Sequence, residues 1–100
     1  MSGDETAKMA VMDRWLTEVC AELGIDRSVL DANTVGLLAL IKDVAHGPSR
    51  PGAPMTAFLV GLASGAGSPD AAAQVTGVAE RVEAVSRLVE RWDPSGSTAL

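Results

Sequence analysis

The chain has 100 residues, enough for one domain with a single modest core. It is 47% apolar, yet Trp15, Phe58 and Trp92 are its only aromatic residues, so the core must be packed from Leu, Val, Ala and Met. Thirteen acids against eight bases give a net charge of −5, a field that repels a phosphate backbone and argues against nucleic-acid binding.

The single cysteine, Cys20, can form no internal disulfide and suits a reducing cytoplasm. The opening MSGDETAK is acidic where a secretory signal is basic. The longest apolar run, residues 55–62, falls far short of the ~20 residues of a membrane span. A soluble, cytoplasmic domain without a membrane segment is expected.

Residues 1–6 read as a flexible N-terminus. From there Met9, Met12, Leu16, Val19, Cys20 and Leu23 recur at steps of three and four, marking one face of a helix over about 7–23, with Trp15 at its flank. Gly24 is its stop, because glycine enters the left-handed region without Cβ strain. In GIDRSVLDANT, Asp26 can cap a separate short turn, and Asp31 or Asn33 can cap a second helix over about 33–46. Its buried face is read as Leu37, Leu38, Ile41, Val44 and Ala45, with Gly47 and Pro48 ending it.

Pro54 suits the first position of a third helix, whose run MTAFLVGLASG is apolar nearly all round. That pattern predicts the most buried element, wrapped by the other three, with Gly61 and Gly65 forming a strip for close packing. Ser68-Pro69-Asp70 opens a fourth helix to about Arg91. Its Val75, Val78, Val82, Val85, Val89 and Trp92 are spaced 3-4-3-4-3 as a heptad seam. The expected fold is all-α: a compact four-helix bundle with a short extra turn between helices 1 and 2, spanning residues 7–92, and a disordered tail over 93–100.

No nucleophile, base and orienting group can be named together. Cys20 lies on an apolar stripe and reads as packing, although a bundle permits its pairing with His46. One histidine and one cysteine match no metal-ligand spacing, and no cofactor is expected. The 46–56 loop carries His46 and Arg50, with Lys42 one turn back and Thr56 just inside the third helix. These groups can form an anion pocket, or they can simply complement a helix end while prolines stiffen the loop. If Val78, Val82, Val85, Val89 and Trp92 are not fully covered internally, they form a partner surface or a homodimer seam.

Three stretches carry a family resemblance: W-L-x-x-V-C-A-E-L-G-I-D at 15–26, D-V-A-H-G-P-x-R-P-x-A-P-x-T-x-F-L-V-G-L-A-S-G at 43–65, and S-P-D at 68–70. Over residues 12–92 the chain resembles a small actinobacterial helical domain of unknown function, found alone or fused behind molybdenum cofactor guanylyltransferase. The resemblance implies an accessory role beside molybdenum cofactor maturation, with His46, Arg50 and Thr56 as contact positions. It passes on no catalytic residue, and this chain has neither a Gly-rich nucleotide loop nor α/β alternation. A non-catalytic interaction module is therefore the leading expectation, with the guanylyltransferase or a molybdoenzyme chaperone as its expected protein partner. An anionic-ligand domain and a homodimeric structural domain are the alternatives.

Overall fold

The computed structural model describes residues 3–67 and 69–95. Four helices account for the fold: α1 (Gly3–Leu23), α2 (Arg27–His46), α3 (Gly52–Gly65) and α4 (Ala71–Glu90). The fold is an all-α four-helix bundle, with no strand among the described residues.

α1 starts at Gly3, inside the segment expected to be loose, with Asp4 and Glu5 set against the positive end of the helix. It stops as the sequence predicts. Gly24 takes φ 66°, its N–H donates to the Ala21 carbonyl, and the Ile25 N–H donates to Cys20 O at 2.9 Å. This is the paired bonding of a left-handed glycine cap, with Ile25 returning over Cys20.

The short extra turn does not exist as a separate element. Asp26 caps α2 itself by accepting from the Ser28 N–H at 2.9 Å, and the helix continues unbroken to His46. Asn33 was expected to cap a later start, since its side chain competes for backbone groups. Here it is buried, and its Nδ2 donates to Val29 O at 2.9 Å and to Val75 O of α4 at 3.3 Å. The amide thus cross-links two helices instead of starting one.

α3 begins two residues before Pro54, which still lies in the first turn where a missing N–H costs nothing. α4 is capped by Asp70, whose Oδ2 accepts from the Ala73 N–H at 3.0 Å. The expected Ser68 cap lies outside the described residues, as do residues 96–100 of the expected tail.

The core is formed by Leu40 and Val44 of α2 with Ala53 and Val60 of α3. Ile41, Ala45, Val78, Val82, Val85 and Val89 pack around it. The valine seam of α4 therefore faces inward, against α2, so it is not a free partner surface in the single chain. The expected packing face of α2 holds at Ile41, Val44 and Ala45, but Leu40, which is fully buried, completes it in place of Leu38, which is half exposed.

α2, α3 and α4 pack extensively on one another, but α1 makes no comparable contact with any of them. The molecule is correspondingly flat, 46 × 39 × 18 Å, with a radius of gyration of 15.4 Å against about 13 Å for a compact chain of this length. One corner holds α1 in place. Arg27 at the start of α2 donates from Nη2 to Asp13 Oδ1 at 2.9 Å, from Nη1 to Thr17 Oγ1 at 2.7 Å and Asp13 O at 3.0 Å, and from Nε to Asp31 Oδ1 at 3.0 Å.

Candidate functional site

α3 is inverted relative to a monomer's core helix. Its small residues Ala53 and Ser64, with Val60, are buried against α2 and α4. Its bulky residues point outward: Met55 is 61% exposed, Phe58 65%, Leu59 59% and Leu62 59%. The expectation that the other three helices enclose α3 is therefore overturned. α2 and α4 cover one side of it, and α1, which would have to cover the other, stands away.

Gly61 and Gly65 were expected to receive a neighbouring helix. Instead, nothing lies within 4 Å of a Cβ built at either position. Both border an open groove of about 470 Å³ between α1 and α3. Leu16, Val19 and Cys20 form its α1 wall, and Ala57, Gly61 and Gly65 its α3 wall. Asn33 and Leu37 of α2 and Val78 of α4 also line it.

Two polar side chains at the groove make bonds within the chain. Asn33 bridges two helices, and the Ser64 hydroxyl donates to Val60 O at 2.7 Å. Among the described residues no buried side-chain nitrogen or oxygen lacks a partner. A groove lined mainly by apolar side chains offers burial to an apolar occupant. Met9, Val11, Trp15 and Leu23 leave much of α1 apolar and exposed as well.

The loop residues singled out from sequence are arranged differently from an anion pocket. His46, Arg50 and Lys42 are all exposed. The Thr56 hydroxyl donates to Gly52 O at 2.9 Å, so its proton serves the helix. At the start of α3 the Gly52 N–H donates to Ser49 Oγ at 3.1 Å and the Ala53 N–H to Arg50 O at 3.2 Å, while Pro54 has none. The donors that make a helix N-terminus attractive to anions are thus already paired.

Cys20 is buried at the α1 end of the groove beside Asn33. His46 lies thirteen residues further along α2 than Asn33, which places it roughly 20 Å along the helix axis. The structure does not bring the thiol and imidazole together. No three His, Cys, Asp or Glu side chains among the described residues are grouped to hold a metal ion. No described helix is long and apolar enough to cross a membrane.

Trp92 is half exposed at the end of α4. Of the five residues expected to form a partner surface, it alone is classed as exposed. The residues that sequence reasoning did not select are Phe58, Leu59 and Leu62. Their signal was present in a run apolar on every side, which says that the helix is covered but not by what.

A family model matches residues 7–97, and its description is "Domain of unknown function (DUF6457)". The chain belongs to this family. The match spans all of α2, α3 and α4 and all but the first turn of α1, so the groove and the outer face of α3 lie inside the family domain. No curated protein and no solved structure matches the chain.

Proposed function

We propose that the chain is a non-catalytic accessory module that binds protein through the apolar face of α3 and the groove beside it. The observation that carries this reading is the outward row Met55, Phe58, Leu59 and Leu62, each more than half exposed on a helix with no charged residue. Contiguous exposed apolar side chains of this size are characteristic of interaction surfaces.

The link to molybdenum cofactor maturation rests on the resemblance of residues 15–26 and 43–65 to the actinobacterial domain fused behind molybdenum cofactor guanylyltransferase. That enzyme is accordingly the partner to test. Isothermal titration of the chain with the purified guanylyltransferase should give saturable heat that is lost in Leu59→Glu. No heat with the unmodified chain removes the molybdenum link.

No observation favours the anionic-ligand reading of the 46–56 loop over this one. Its hydroxyl and backbone donors are paired within the chain.

A further inference from the structure

Two faces of this chain lack a covering element, and they are of matching character. α1 presents Met9, Trp15 and Leu23 to solvent, and α3 presents Phe58, Leu59 and Leu62. Within one chain the two helices flank the groove without closing it. We infer that the occupant is a second copy of this chain, with α1 of each protomer laid against α3 of the other about a twofold axis.

This rests on the reading of α3 as a docking face: a second copy covers it when the chain is alone, and a protein partner that takes the face displaces that copy. Dimension, area and symmetry support it. α1 has 21 residues and α3 has 14, or roughly 31 Å against 21 Å, so α1 can run the whole length of α3. The chain exposes 7229 Å² where a compact monomer of 10.3 kDa exposes roughly 5,400 Å², an excess of about 1,800 Å². A standard interface removes about 800 Å² from each partner, and obligate homodimers remove about 1,000–2,500 Å². The excess is of the size such a dimer buries.

A twofold pairing is also the economical solution for two unlike faces on one chain. It makes the α1–α3 contact twice and leaves neither face open, whereas a foreign helix on α3 leaves α1 uncovered. The surface differs from a helix 4 seam, because that seam is occupied by α2.

Sedimentation equilibrium on the unmodified chain, on Phe58→Glu and on Trp15→Glu tests the inference, with circular dichroism confirming that each variant stays helical. The unmodified chain should have twice the 10.3 kDa mass. Each variant, one per face, should weaken the dimer by roughly 30-fold or more, as for an anchor residue at an interface centre. A dimer indifferent to both variants overturns the α1–α3 pairing.

A monomeric unmodified chain overturns the inference, and an apolar fluorescent dye then locates the fault. Dye binding that Phe58→Glu abolishes leaves the docking face standing and rejects only the second copy as its occupant. No dye binding rejects the docking face as well.

Discussion

Arg27 Nη2 lies 2.9 Å from Asp13 Oδ1, across the corner where α1 turns into α2. With the bonds to Thr17 and Asp31, this guanidinium is the main polar tie between α1 and the rest of the chain. It sets the direction in which α1 leaves the three-helix body, and so the width of the groove.

Because these pairs are at the surface, their loss should alter the pose of α1 more than overall stability. Arg27→Ala should leave the melting temperature nearly unchanged while hydrogen exchange in residues 13–23 accelerates. Raised salt should move the unmodified chain in the same direction. Equal protection of α1 in both proteins would refute this role.

The core prediction separates two neighbouring leucines. Leu40 is 1% exposed and Leu38 50% exposed. Leu40→Ala should cost about 2–5 kcal/mol by lost transfer energy plus a cavity. Leu38→Ala should stay within about 0.5 kcal/mol. Urea unfolding of the two variants distinguishes this register from one in which Leu38 faces the core.

Gly47 ends α2 at φ −107° and ψ −103°, where any Cβ would stand 2.9 Å from the Asp43 carbonyl oxygen and 3.6 Å from a Val89 methyl. A backbone oxygen cannot swing aside as a side chain does. Gly47→Ala should therefore destabilise by about 1–3 kcal/mol, the cost of shifting packed atoms to admit the added methyl. Gly61→Ala should leave the helical body intact, since its Cβ meets open space. Thermal melts of both variants check the contrast.

Asp26 supplies the pH dependence. Its side-chain hydrogen bond with Ser28, aided by the Ser28 backbone N–H, holds its carboxyl below the usual aspartate range. With the folded value depressed, the cap's contribution is complete above the unfolded value of about 3.9 and is lost as pH falls through the folded one. Asp26→Asn keeps a capping oxygen but does not titrate. It should flatten that part of the acid loss of stability, and an unchanged acid limb would contradict the assignment.

The helix order was legible because its signals are local. Gly24 stops α1, the Ser68-Pro69-Asp70 signal places the start of α4 to within about two residues although Asp70 is the cap, and the valine spacing marks the packing face of α4. Asn33 was misread because its propensity concerns its own backbone, whereas its bond to Val75 spans 42 residues. The bond from the Thr56 hydroxyl to Gly52 O is not legible either, because a hydroxyl in a sequence does not reveal whether the preceding turn has claimed it.

The site itself was half legible. An all-apolar α3 and a striped α1 both announce burial, but periodicity cannot say whether the cover comes from the same chain.

The pairing of α1 with α3 between chains is tested most directly by crosslinking. In a Cys20→Ser background, Trp15→Cys chains and Leu62→Cys chains are mixed and treated with a short bifunctional maleimide. The account predicts a covalent heterodimer, in excess over either chain crosslinked to itself. Mixed chains that remain uncrosslinked, with a Trp15→Cys, Leu62→Cys double variant that links only within itself, would contradict it.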